Sequence, residues 1–212
     1  MSREIAKDLA DRLVEIRKDN LKWYDTKTKL HERNPDGYTK PKQAVVGGVV
    51  RSYKFSYEEG KEIAQGSMKI MFSTDASCEC DVTVVILNDS EAHAGVTGER
   101  IVHNTRKLSD FNESIIEAYF SAYCDDISKW IVVYEKFDSY FHDESQNAIP
   151  RICEEADRSS LTDFWRENLR SLVRVLAASS KKNVMHGGLS SASSYAISAG
   201  TIKLINVARR EK

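Results

Sequence analysis

The feature that most constrains this chain is a run of strand-forming residues near its middle, Val82-Thr83-Val84-Val85-Ile86-Leu87. An uninterrupted run of β-branched and aliphatic side chains is typical of a strand that is buried on both faces. Residues 44–57 form a second strand candidate that is interrupted at Gly47-Gly48 and has a period of two from Val49 onward, and residues 68–72 and 130–134 are also rich in strand formers. The sequence therefore predicts a sheet at the centre of the fold.

Apolar residues at helical spacing predict three helices beside this sheet. Residues 3–24 carry one apolar stripe, and residues 111–126 continue a capping-box sequence at 110–113. Residues 160–179 follow a second capping-box sequence and carry a stripe of leucines. The Ser- and Ala-rich segment 187–212 fits either a helix or a strand.

These elements predict an α+β fold with a small mixed or antiparallel sheet of about four strands, packed with about three to four helices. A chain of 212 residues is compatible with one domain, so we expect a single domain over residues 1–212. It includes a basic loop at 25–42, where Asn34-Pro35-Asp36-Gly37 is a turn sequence, and the C-terminal segment 187–212.

Composition places the chain among packed globular proteins, since 41% of its residues are hydrophobic, 30% are charged and only 3 are proline. The first residues show no apolar signal region, and no apolar run has the length needed to cross a bilayer. We therefore expect a protein of a reducing, cytoplasmic compartment that has no membrane partner, with its four cysteines as free thiols.

Charge is distributed unevenly along the chain. Residues 1–52 carry a net charge of +4, residues 53–150 carry −10, and residues 151–212 carry +5. Basic ends favour contact with a polyanion, or pairing between the ends of one copy and the middle of another. The alternative is that the ends fold back onto the acidic middle within one chain.

One short pattern has the form of a nucleotide site: Gly66-Ser67, then eleven residues, then Glu79-Cys80-Asp81-Val82. Alternate residues of a strand face the same side, so Glu79 and Asp81 are placed to hold one Mg²⁺ ion together. The pattern resembles the signature of the nucleotidyltransferase fold, and its spacing looks most like that of the cyclic GMP-AMP synthase branch.

This resemblance covers 17 residues and implies that Glu79 and Asp81 bind catalytic Mg²⁺ while Gly66 and Ser67 approach a triphosphate. It also implies a strand directly before the Gly-Ser pair, whereas residues 57–65 favour a helical turn or loop. It implies a third carboxylate on a later strand, and the nearest candidates are Glu135 and Asp138. The alternative is a β-hairpin that carries Glu79 and Asp81 on its solvent face.

The sequence supports other catalytic or metal sites less well than it supports the Gly66-Ser67 pattern. Cys78 and Cys80 are closer together than paired zinc ligands usually are, although His93 and His103 follow, so we predict no metal site. His186-Gly187-Gly188 indicates a glycine-rich turn. A nuclease set would use Asp81, Glu135 and Lys136, but adjacent strand residues point to opposite faces.

The last candidate is a basic stripe on the helix expected after Ser160. Arg166, Arg170 and Arg174 are spaced at i, i+4 and i+8, and Lys181 and Lys182 extend the charge beyond them. Guanidinium groups in a row suit phosphates or an acidic protein surface, although a solvated helix face has the same composition.

The absence of a complete catalytic set favours a non-catalytic binding or assembly protein that needs no cofactor. It would self-associate or contact nucleic acid or an acidic protein through its basic regions. The alternative hypothesis is a small or degenerate nucleotidyltransferase that uses Mg²⁺.

Overall fold

The computed structural model describes residues 1–9, 15–16, 48–71, 77–88, 91–108, 111, 114–141 and 158–207. Several features expected from the sequence lie outside these residues. They are the basic loop at 25–42, the fourth cysteine, Cys153, and most of the capping box at 110–113.

Most of the fold is one antiparallel sheet. Its strands in chain order are β1 (Arg3–Asp8), β2 (Glu15–Ile16), β3 (Gly48–Tyr57), β4 (Ile63–Met71), β5 (Ser77–Leu87), β6 (Ala118–Cys124) and β7 (Lys129–Glu135). Six of them follow the order β1-β3-β4-β5-β7-β6, and β2 pairs with the start of β3. The apolar run predicted to be a doubly buried strand is the inner strand β5, and residues 82–86 are all buried.

The sheet curls so that its two ends approach each other. Tyr53 on β3 and Phe120 on β6 belong to strands separated by three others, yet their ring centroids lie 5.8 Å apart. Near this contact, Lys7 Nζ on β1 lies 2.7 Å from Asp125 Oδ2 in the turn after β6. The concave side therefore encloses one hydrophobic cluster to which β1 and β3–β7 all contribute.

The opposite side of the sheet is covered by α1 (Glu91–Lys107), a helix that the sequence analysis did not predict. Ile101 and Val102 pack there with Val85 and Val132. The helix lies close to the sheet because a Cβ added at Gly98 would meet Ser121 Oγ at 2.1 Å.

A smaller unit follows β7. It contains α2 (Arg158–Lys181), a 3-10 turn (Ala192–Ser194) and a sheet of β8 (Ser139–Tyr140), β9 (Tyr195–Ser198) and β10 (Thr201–Leu204), in the order β10-β9-β8. Asn168 fixes α2 to this sheet, because its buried Oδ1 accepts a hydrogen bond from the Ile202 amide at 2.7 Å.

The expected fold class, an α+β fold with about four strands packed with three to four helices, is wrong. The structure is mostly sheet: a curled antiparallel sheet and a three-stranded sheet, with only two α-helices among the residues described. Residues 3–8, expected to begin a helix, form β1 because they pair along the free edge of β3 and bury Ile5 there.

The helix expected at 111–126 is also wrong, because residues 118–124 form the strand β6. One face of this strand is buried throughout, and the other face still carries the aromatic residues Tyr119, which is buried, and Tyr123, which is partly buried, so the strand shows no clear period of two in its hydrophobicity. Its alanines, Ala118 and Ala122, matched the helical spacing that began at Phe111.

The strands expected at 44–57, 68–72, 80–87 and 130–134 are present over the residues that the structure describes, as is the helix expected at 160–179. The helical turn or loop expected over 57–65 is wrong for residues 63–65, which begin β4 directly before Gly66 and Ser67. The uncertain C-terminal segment contains the β9–β10 hairpin rather than a helix of small residues. Among the described residues, no helix combines the length and apolar character needed to cross a bilayer.

Candidate functional site

Gly66 and Ser67 lie in the middle of β4, with Glu79 and Asp81 on the neighbouring strand β5. The two carboxylates are exposed on one solvent face, which is the arrangement of the hairpin alternative. A side chain at Gly66 would lie 2.2 Å from the Lys54 carbonyl oxygen on β3. Close strand packing is therefore sufficient to explain the glycine.

Each of these carboxylates contacts a lysine. Glu79 Oε1 accepts a hydrogen bond from Ser67 Oγ at 2.6 Å and lies 3.4 Å from Lys54 Nζ. The serine and then the lysine lower the pKa of Glu79 below its ordinary value. Asp81 Oδ2 lies 3.0 Å from Lys136 Nζ. In the part of the chain that the structure describes, no group of three or more His, Cys, Asp or Glu side chains is placed to hold a metal ion.

The thiols of Cys78 and Cys80 face the buried side of β5, whereas His93 and His103 are exposed on α1. Cys80 Sγ lies 3.6 Å from the Met68 carbonyl oxygen, to which it donates. A hydrogen bond with Cys78, together with burial, raises the pKa of the Cys80 thiol far above its ordinary value. Both cysteines are core side chains, and the Cys80 thiol remains protonated.

Glu135 and Lys136 point in different directions, as their adjacency predicted. Lys136 reaches Asp81, whereas Glu135 Oε1 lies 3.4 Å from Lys203 Nζ on β10. Glu135 and Lys203 are only 16% and 17% exposed, and burial raises the pKa of Glu135 even though Lys203 opposes that shift. Glu135 therefore joins the two sheets and does not face Asp81.

The segment that leaves β7 is held by side chains of β4 and β5. Thr83 Oγ1, which is fully buried, accepts a hydrogen bond from the Phe137 amide at 3.0 Å and lies 3.2 Å from the Phe137 carbonyl oxygen. Gln65 Nε2 donates to the same carbonyl oxygen at 3.2 Å. Both backbone polar groups of Phe137 are thus satisfied inside the protein.

Side chains at the end of β7 and after β10 also fill the junction between the two sheets. The hydroxyl of Tyr134, at the end of β7, donates to Asn206 Oδ1 at 2.8 Å, and Asn206 Nδ2 donates to the Ser193 carbonyl oxygen at 3.2 Å. Asn206 has a positive φ of 58°, a backbone conformation that asparagine adopts more often than most residues do. The pocket that remains has space for about one water molecule. Its lining includes Glu62, Val85, Tyr140 and Asn206.

His186 closes the end of the C-terminal unit. Its buried ring donates through Nε2 to the Ile205 carbonyl oxygen at 2.8 Å, while Nδ1 has no partner in the described part of the chain. Burial lowers the pKa of His186 below its ordinary value. The neighbouring Gly187 has a φ of 78°, so the predicted glycine-rich turn is confirmed.

The three arginines of the basic stripe are exposed on α2, and Arg170 and Arg174 line a groove between this helix and the β9–β10 hairpin. Arg166 contacts Asp163 at 2.5 Å and Arg170 contacts Glu167 at 3.2 Å, whereas Arg174 has no acidic partner among the described residues. Lys181 is exposed, but Lys182 donates to the Lys107 carbonyl oxygen at 2.7 Å and so helps to attach α2 to α1.

Parts of the basic ends contact the acidic middle within the same chain. Lys7 pairs with Asp125, and Lys203 pairs with Glu135. The alternative explanation of the charge asymmetry therefore accounts for these two lysines. It does not account for the arginine stripe, whose acidic contacts in the described part of the chain lie on α2 itself.

No protein-family model matches the chain, and no curated protein matches its sequence significantly. The junction around Thr83, Tyr134 and Asn206 was not predicted from the sequence. The only available signal was the presence of polar side chains in or beside otherwise apolar strands. Such residues require buried hydrogen-bond partners, but the sequence does not say which ones.

Proposed function

We propose that this protein is a non-catalytic binding protein whose secondary-structure elements follow the order found in protein kinases. We further propose that its own side chains fill the place where a kinase binds its nucleotide. Protein kinases carry, in chain order, a Gly-rich loop, a V-A-I-K lysine on the third strand, a helix, an H-R-D-L-x-x-x-N loop and a D-F-G segment. The β3–β4 turn, β5, α1, the loop at His186 and the segment after β10 follow the same order. This is an analogy of arrangement, because few residues agree in type.

The observation that supports the proposal best is the convergence of three of these positions on one pocket. Glu62 of the β3–β4 turn, Val85 of β5 and Asn206 after β10 all line the pocket at the junction. In kinases the corresponding loop, lysine and aspartate surround the nucleotide phosphates and their Mg²⁺ ions.

The residues at these positions are unsuited to that chemistry. Val82-Thr83-Val84-Val85 places an apolar side chain where V-A-I-K has its lysine, and His186-Gly187-Gly188-Leu189 has glycine in place of the catalytic aspartate. The turn that would cover the phosphates carries Glu58, Glu59 and Glu62, whose charges repel a triphosphate. A drug-sized ligand also needs a pocket of roughly 300–1,000 Å³, far more than the Tyr134–Asn206 junction leaves open.

Calorimetric titration of the protein with Mg²⁺-ATP tests the proposal that it is not an enzyme. We expect no heat of binding up to millimolar nucleotide, in both the wild type and Asp81→Ala. Binding that is lost in Asp81→Ala would instead support the nucleotidyltransferase alternative. Binding that survives in Asp81→Ala but is lost in Asn206→Ala would mean that the junction opens to nucleotide.

The binding surface that we propose is the arginine stripe of α2. Exposed ion pairs such as Arg166–Asp163 and Arg170–Glu167 contribute at most about 1 kcal/mol, so an anionic partner can replace them readily. The buried free thiols of Cys78, Cys80 and Cys124 are consistent with the reducing, cytoplasmic location that we propose.

Retention on a heparin column tests this surface with a defined polyanion. We expect retention that falls steeply with salt and is lost when Arg166, Arg170 and Arg174 are all changed to Glu. The matched control reverses three lysines on the sheet face, Lys54, Lys69 and Lys136, and should retain binding. Equal loss in both variants would contradict a specific role for α2.

A further inference from the structure

We propose that the outer face of α2 is a self-association surface, on which a second copy of this chain places its own α2 in the antiparallel direction. This inference rests on the proposed non-catalytic binding role and identifies the partner at the same helix. Two independent features of α2 point to it, the exposure of its apolar residues and the order of its charges.

The first feature is a pair of large apolar side chains, Leu169 and Val173, that are exposed to solvent. The inner face of α2 packs through Asn168, Val175 and Ala178, which are buried. Leu169 and Val173, one turn apart on the outer side, are 56% and 63% exposed. Single exposed apolar residues are ordinary, but adjacent ones in the middle of a 24-residue helix form a patch that a partner can cover.

The charge feature is a change of sign along one edge of this face. Asp163 and Glu167 come first, and Arg170 and Arg174 follow at spacings of three and four, so all four lie on the same edge of the helix. Along this edge, although not over the whole helix, acidic residues precede basic ones, so the edge is complementary to an antiparallel copy of itself. This is the symmetry of a closed two-fold dimer.

The charges also determine the register of the pairing. Placing Asp163 of one copy opposite Arg174 of the other brings Glu167 opposite Arg170 of the other. The two-fold axis then passes beside Leu169, so the two Leu169 side chains meet at the centre of the contact. The same arrangement supplies an acidic partner for Arg174, which has none among the described residues of its own chain.

Light scattering after size-exclusion chromatography, over a range of protein concentrations, provides the first test. We expect a concentration-dependent dimer, and we expect Leu169→Asp to raise its dissociation constant at least about tenfold, because central apolar contacts dominate such interfaces. Val96→Asp is the matched control, since Val96 on α1 is also 56% exposed but lies outside the surface. A monomer at every concentration would overturn the dimer, while nucleotide calorimetry would still test the non-catalytic role separately.

Charge exchange distinguishes self-pairing from an acidic partner of another kind. Asp163→Arg and Arg174→Asp should each weaken the dimer, and the double variant should restore it because the opposite charges have only changed places. A double variant as weak as the single ones would contradict the register.

A cross-link tests the position of the axis. In a Cys153→Ser background, Leu169→Cys should form an intermolecular disulfide under mild oxidation much faster than Val96→Cys does. Equal rates of cross-linking at the two positions would contradict the central place of Leu169.

Discussion

At the scale of single residues, three polar side chains inside the protein determine how its two sheets meet. Thr83, Tyr134 and Asn206 are all buried, and each is hydrogen bonded across the junction. A buried polar group that loses its partner costs about 1–3 kcal/mol, more than the hydrogen bond itself contributes. These residues therefore have larger effects on stability than their number suggests.

Replacing Thr83 by Val should lower the free energy of unfolding by about 1–3 kcal/mol, because the Phe137 amide loses its acceptor while the side-chain volume is nearly unchanged. Urea denaturation measures this change. Thr97→Val, at a partly exposed position of α1, is the control and should have a much smaller effect. Equal effects at the two positions would show that the Thr83 hydrogen bond contributes little.

Protonation of His186 should destabilise the fold. Burial lowers its pKa in the folded state below the unfolded value near 6.5, so its contribution is intact above that value and is lost as the pH falls below it. In denaturation at pH 7.5 and 5.5, we expect His186→Gln to lose stability less steeply on acidification than the wild type does. His103→Gln, which changes an exposed histidine, should follow the wild type.

At the scale of elements, the position of α1 depends on a close approach to β6. A glycine inside an exposed helix costs about 1 kcal/mol relative to alanine, so propensity alone favours replacing it. At Gly98 the added Cβ would lie 2.1 Å from Ser121 Oγ and 2.9 Å from Ser121 Cβ. Overpacking of this kind typically costs about 1–3 kcal/mol, so packing outweighs propensity.

Gly98→Ala should therefore destabilise the protein, by about 1–2 kcal/mol in urea denaturation, despite its better helix propensity. Combining it with Ser121→Gly removes the opposing atoms and should recover more stability than the two single effects would predict by addition. An additive double variant would show that Gly98 and Ser121 do not constrain each other.

At the scale of the whole molecule, the curl of the large sheet depends on its enclosed core rather than on the ion pair at its edge. The Lys7–Asp125 pair is exposed, with 36% and 72% of the two side chains accessible, and such pairs contribute at most about 1 kcal/mol. Phe120 is 2% exposed and contacts Tyr53 from the opposite end of the sheet.

Phe120→Ala should accordingly cost about 3–5 kcal/mol of unfolding free energy, because it leaves a cavity where the two ends of the sheet meet. Lys7→Ala should cost less than about 1 kcal/mol. Thermal or urea denaturation of the two variants and the wild type measures these differences in unfolding free energy. A larger effect at Lys7 would mean that the edge contact, and not the core, closes the curl.

The ion pairs on the sheet face were only partly predictable from the sequence. The alternation of residues along a strand correctly predicted that Glu79 and Asp81 share one face, because it is a local property. Nothing in the sequence indicated that Lys54 and Lys136 would pair with them, because Lys54 on β3 and Lys136 just after β7 are both distant from β5 in the chain.

The sequence by itself determined the inner strand β5, strand β3, the second half of β4, β7 and the long helix α2, because each has a local period or an apolar run that only one structure satisfies well. Tertiary structure decided the rest. Residues 3–8 became an edge strand because β3 offered them unpaired backbone groups, and β6 became a strand because it pairs along β7 and buries the face that carries Phe120. The junction at Thr83, Tyr134 and Asn206 likewise exists only after folding. Its partners are far apart in the chain, and hydrogen bonds between distant residues leave no local pattern in a sequence.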